Sequence, residues 1–87
     1  MRKDITPEQV DEALRITGEM LKRRLREKGT QSYASTHEGL GIITEEYYEL
    51  VEAVTLNDMD AFEKECLDVA VGCIFSVACR RAGALDW

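Results

Sequence analysis

Val10, Ala13, Leu14, Thr17, Met20, Leu21 and Leu25 recur at three- and four-residue steps, which places them on one stripe of a 3.6-residue period. Just ahead of the stripe, Thr6-Pro7-Glu8-Gln9 reads as a capping box with proline at the first helical position. Ile5 and Val10 stand where a hydrophobic staple would put them. Gly29 follows a basic last turn and suits an αL cap at the negative end of the helix dipole. The pattern predicts a first helix from about Pro7 to Lys28. Residues 29–34 form a polar connection, and Ser35-Thr36-His37-Glu38 offers a second capping box for a helix running to about Thr55. Leu56-Asn57-Asp58 then makes a turn in which Asn or Asp can cap a third helix, from about Met59 to Arg81, ending before Gly83.

The third helix is apolar on every side. From Cys66 to Cys79 only Asp68 is charged, and a helix of that kind must be covered all round. Two other helices of one chain cannot do this. Eighty-seven residues make a single domain, 1–87, and a chain that short buries only about 60% of its unfolded surface. The expected fold is therefore all-α: a three-helix hairpin protomer that assembles into an oligomeric helical bundle.

Composition narrows the functional classes. The chain is 45% apolar and 32% charged, and no uncharged apolar run approaches the roughly 18 residues of a spanning helix, so neither a disordered tail nor a membrane protein is expected. The start, Met-Arg-Lys-Asp, lacks the apolar segment of a signal peptide, and a cytoplasmic location is expected. Cys66 and Cys73 would lie about 10 Å apart along one helix, too far for a disulfide, and no cysteine pair has C-x-x-C spacing. Buried reduced thiols are expected. Charge is divided unevenly: residues 1–28 carry eight basic against six acidic groups, residues 29–87 three against eleven. The net charge of -6 argues against a nucleic-acid duplex as the main partner, although Arg23, Arg24 and Arg26 on the first helix are the cluster through which one would bind.

The acids have an order of their own. On the second helix Glu38, Glu45, Glu49 and Glu52 fall on one ridge within about 60°, and Glu46 flanks it at about 100°. Such like charges repel unless solvated or compensated. On the third helix Glu65 and Asp68 stand three apart where the apolar run begins, and Asp68 has Leu67, Val69, Ala70 and Val71 around it. An ionised carboxylate there needs a counter-charge or a metal, or its pKa must rise. If the two helices are antiparallel neighbours, Glu46 and Glu49 come level with Glu65 and Asp68. Oxygen-only ligands select a hard cation such as Mg²⁺, with Mn²⁺ as a substitute. A di-iron bundle would want Glu-x-x-His, which is absent, and the single histidine, His37, reads as a first-turn residue.

Glu45-Glu46-Tyr47-Tyr48-Glu49 followed after fifteen residues by Glu65-Cys66-Leu67-Asp68 resembles the EExxE…ExxD signature of the MazG-like, all-α NTP pyrophosphohydrolases. The resemblance covers about residues 37–79. It implies hydrolysis of nucleoside triphosphates to the monophosphate and pyrophosphate, with Mg²⁺ held by Glu46, Glu49, Glu65 and Asp68. It also implies a supporting or water-orienting role for Glu45, action of Glu49 in catalysis, and assembly as a homodimer or homotetramer. Lys22, Arg23 and Arg26 on the first helix are candidate phosphate clamps, and Tyr47, Tyr48 and Trp87 are candidates to stack on a base. Leu67, where many relatives have glycine, motivates a second reading: a catalytically silent helical oligomer that keeps the fold and the ion as a metal-binding or interaction module.

Overall fold

A computed structural model describes residues 2–87 and consists of three helices, α1 (Pro7–Lys28), α2 (Thr36–Thr55) and α3 (Met59–Arg81). The expected boundaries and the all-α class hold. Among the described residues there is no strand, only one isolated bridge between Ser35 and Asp86. No helix is long and apolar enough to cross a membrane.

The helix starts follow from side-chain chemistry. Thr6 Oγ1 accepts from the Gln9 amide at 3.1 Å while Gln9 Oε1 accepts from the Thr6 amide at 2.9 Å, so two donors left free by the first turn are satisfied reciprocally. At α2 only half of the expected box forms: Ser35 Oγ accepts from the Glu38 amide at 3.1 Å. Asp58 caps α3 by accepting from the Ala61 amide at 3.0 Å. Asn57, the other turn candidate, takes the left-handed conformation at φ 55°, which asparagine tolerates better than most residues. Two local expectations need correction. Gly29 has φ 88° but ψ -178°, so it is a positive-φ glycine that leads the chain away in an extended conformation rather than an αL cap. Ile5 is 73% exposed, so the staple with Val10 does not form a buried contact.

The short turn sets α2 and α3 side by side as an antiparallel hairpin, and α1 packs against α3. Small residues let the hairpin close. A Cβ on Gly72 would lie 3.3 Å from Ile43 Cγ1, and one on Gly39 would lie 3.0 Å from the Tyr33 ring. Tyr33, in the connection before α2, meets Phe75 of α3 edge-on with ring centres 4.9 Å apart. The C-terminal tail returns to the same end: Thr36 donates to the Asp86 carbonyl at 2.8 Å, and Asp86 donates to Ala34 at 3.1 Å.

Among the described residues the buried apolar side chains are few, namely Ala53, Val71 and Cys79, each 3–4% exposed. All three cysteines are free thiols, but Cys73 is exposed and Cys66 half-buried, so the expectation of buried thiols holds only for Cys79. The chain exposes 7100 Å², where a compact monomer of 9.9 kDa exposes about 5200 Å². Its radius of gyration is 14.6 Å against about 12 Å for a compact domain of this length. Tyr47, Val51 and Val54 on α2 and Ile74 and Val77 on α3 face outward.

Candidate metal centre

Antiparallel pairing brings the second half of α2 level with the first half of α3. Glu46 and Glu49, three apart on α2, face Glu65 and Asp68, three apart on α3. One carboxylate oxygen from each of these four residues lies within 4.8 Å of the others. Asp68 is 3% exposed and Glu65 9%, Glu46 is half-buried, and Glu49 stands open to solvent. The four expected ligands are thus brought together on the most closely packed pair of helices.

Two cations reach this cluster. Arg24 of α1 donates from Nη2 to Asp68 Oδ1. Lys64 Nζ lies 3.1 Å from Asp68 Oδ2 and 3.2 Å from Glu65 Oε1, bridging two of the four acids. Four carboxylates against two cations leave two negative charges uncompensated when all are ionised. The excess shows in the acids' proton affinity. Burial, reinforced by Asp68, Glu49 and Glu65, holds the Glu46 carboxyl above its ordinary range, with Arg24 opposing. Burial also raises Glu65, with Lys64 pulling it down and the Asp68 charge pushing it up. Hydrogen bonds to Asp68 and Glu65 make the Lys64 ammonium harder to deprotonate.

Glu46 Oε2 and Glu65 Oε2 are buried without a hydrogen-bond partner. Such atoms are rare in folded proteins because leaving them unpaired costs roughly 1–3 kcal/mol or more each. Convergent oxygen donors, a net negative charge and unpartnered buried oxygens together make a group that could hold a metal ion.

The remaining sequence candidates lie elsewhere. Glu45 is exposed, adjacent in sequence to Glu46 but outside the converging set. Glu38 and Glu52 are likewise exposed, so of the predicted ridge only Glu49 joins the site. Lys22, Arg23 and Arg26 are exposed, and the cation that α1 delivers is Arg24. Tyr47, Tyr48 and Trp87 are 53%, 67% and 87% exposed. The aromatic residues beside the acids are instead Tyr33 and Phe75. They line a cleft of about 250 Å³ between the three helices, together with Leu21, Leu25 and Val71, and Glu46 and Asp68 stand in its wall. Arg24 and Lys64 were both detectable: Arg24 lies inside the apolar stripe, three and four residues after Leu21 and Met20, and Lys64 sits four before Asp68.

No protein-family model, curated protein or solved structure matched the chain. Its own residues therefore carry what can be said of its function.

Proposed function

We propose that the protein is a Mg²⁺-dependent nucleoside triphosphate pyrophosphohydrolase that releases the nucleoside monophosphate and pyrophosphate. The observation that carries this is the convergence of Glu46, Glu49, Glu65 and Asp68, the four acids of the EExxE…ExxD pattern, with two buried oxygens unpartnered. Glu46, Glu49, Glu65 and Asp68 would hold Mg²⁺, which would supply charge to offset the polyphosphate and to make a neighbouring water more acidic.

The chain's own residues do the rest. Glu65 and Asp68, buried on α3, form the floor of the site, and Glu49, the exposed member, is assigned the removal of a proton from the attacking water. Glu45, exposed beside Glu46, is assigned the orientation of that water. Arg24 is the α1 cation positioned for phosphate, and Lys22, Arg23 and Arg26 form a solvated basic face around it. The apolar cleft with Tyr33 and Phe75 receives the base.

We assign the working form to a homodimer or homotetramer in the cytoplasm. The surplus of about 1900 Å² over a compact monomer exceeds the roughly 800 Å² that one partner contributes to a standard interface, and the outward apolar faces of α2 and α3 supply it.

Incubation with each NTP and dNTP plus Mg²⁺ tests the activity. Stoichiometric monophosphate and pyrophosphate support it; release of orthophosphate from the terminal position contradicts it. The second reading, a silent metal-binding helical oligomer, is favoured by one observation: Arg24 and Lys64 already supply Asp68 with counter-charges. Saturable metal binding without turnover of any nucleotide would select it.

A further inference from the structure

Lys64 occupies an unusual position among the cations of this chain. Its ammonium bridges Glu65 Oε1 at 3.2 Å and Asp68 Oδ2 at 3.1 Å, so it already occupies two of the four carboxylates on which a bound cation would draw. The two acids are nearly buried, but the Lys64 side chain is 66% exposed. It approaches the cluster from the solvent side on a flexible stem, so once a metal ion compensates the acids its ammonium can return to water without unpacking any buried group. Arg24 differs: it comes from another helix, its side chain is 32% exposed, and it holds the opposite oxygen, Asp68 Oδ1. Glu65 Oε2, on a residue more than nine-tenths buried, remains without a partner even with Lys64 in place.

We propose that Lys64 is a built-in stand-in cation: it neutralises the cluster when no metal is bound and exchanges for a divalent ion, while Arg24 stays on Asp68. The inference rests on the cluster being a cation site. Exchange raises the compensating charge from two to three against four carboxylates; simple addition would raise it to four but would hold an ammonium and a divalent ion side by side on the same two acids, and their mutual repulsion favours exchange. An ammonium competing for the same carboxylates also weakens the apparent metal affinity, so the chain trades cation affinity for a cluster that is tolerable when empty. By linkage, removing the competitor strengthens metal binding by the factor that the competitor had withheld.

The test uses the full chain and Mn²⁺ or Mg²⁺ alone. In calorimetric titrations with Mn²⁺, Lys64→Gln is expected to bind about fivefold tighter than wild type or more, the low end of ordinary coupling. Lys28→Gln, which removes a charge lining the neighbouring cleft but touching none of the four acids, is expected to change affinity less. Side-chain nitrogen NMR of the wild type reads the exchange without any substitution: saturation with Mg²⁺ moves the Lys64 Nζ signal to that of a solvated lysine. An unaltered Lys64 signal at saturation overturns the proposal, as does a Lys64→Gln affinity equal to or weaker than wild type. Absence of saturable binding in both wild type and Lys64→Gln overturns the cation site itself, a separate failure recognisable because no variant then responds.

Discussion

Helices α2 and α3 pack so closely that a methyl group at Gly72 would press on Ile43 and one at Gly39 on Ser76 as well as on Tyr33 of the preceding connection, and this hairpin buries Ala53, Val71, Cys79, Glu65 and Asp68. Helix α1 has no buried residue at all. Its half-buried Met20, Leu21 and Leu25 lie along its apolar stripe, and among the described residues its one hydrogen bond to the α2–α3 hairpin is Arg24 to Asp68. The acids are therefore held by the tight pair and one of their counter-cations by the loose helix. Stability is uneven across folds, and parts that move in binding are drawn from the weakly held end. The carboxylates are carried by the hairpin, and the width of the cleft beside them depends on how α1 sits.

This contrast can be tested in order of effect. Glu49→Gln and Asp68→Asn, each removing a ligand on the hairpin, are expected to lower Mg²⁺-dependent pyrophosphate release by more than about 100-fold, beyond the range of outer-shell losses. Glu45→Gln is expected to cost less, about tenfold, as the loss of a water-orienting group does. Next come the glycines. Gly39→Ala is expected to destabilise by about 1–3 kcal/mol through overpacking against Tyr33 and Ser76, measured by denaturant unfolding. Gly18→Ala in α1, with open space around its position, is expected to stabilise by about 0.5–1 kcal/mol. Equal effects at the two sites would erase the distinction between the helices.

Arg24→Met addresses the tie itself. A hydrogen bond to a charged group contributes about 1.5–3 kcal/mol, so the α1 amides are expected to exchange with solvent roughly tenfold faster or more, with α2 and α3 less affected. Hydrogen exchange resolved by helix reads this. The smallest effect concerns pH. Glu46 and Glu65 have folded-state pKa values above the 4.5 of an unperturbed carboxyl, so the folded chain binds protons more readily than the unfolded one in that window. Their contribution to stability is full below 4.5 and is lost as pH rises through the raised folded values. The metal-free protein is expected to gain stability from these two groups as pH falls across the window. Saturating Mg²⁺ is expected to reverse the trend, because its ligands must be ionised. Thermal unfolding with chelator and with Mg²⁺ compares the two.

Much of this was legible in the residues, for identifiable reasons. Helix limits are set by local chemistry, and Thr6, Ser35 and Asp58 cap where their side chains stand in sequence. The four acids were readable because a short turn between two helices fixes their register, so spacing along the chain becomes proximity in space. Tyr33 was not readable: it lies in a polar connection, and its place against Phe75 depends on a contact over forty residues away. Nor was the tail's bridge to Ser35, which has no periodic signal. Arg24 was hidden by its company. Among five basic residues it looked like part of a charged face, yet its helical phase set it with Met20 and Leu21, pointing inward.

The central claim is that four acids from α2 and α3 form one site for a divalent cation. Titration of the metal-free chain with Mn²⁺ near neutral pH, followed by electron paramagnetic resonance of the free ion, tests it most directly. Saturable binding that Mg²⁺ displaces, and that is lost in the Glu49→Gln/Asp68→Asn double variant, is the predicted result. Absence of saturable binding, or binding that persists in the double variant, would contradict it.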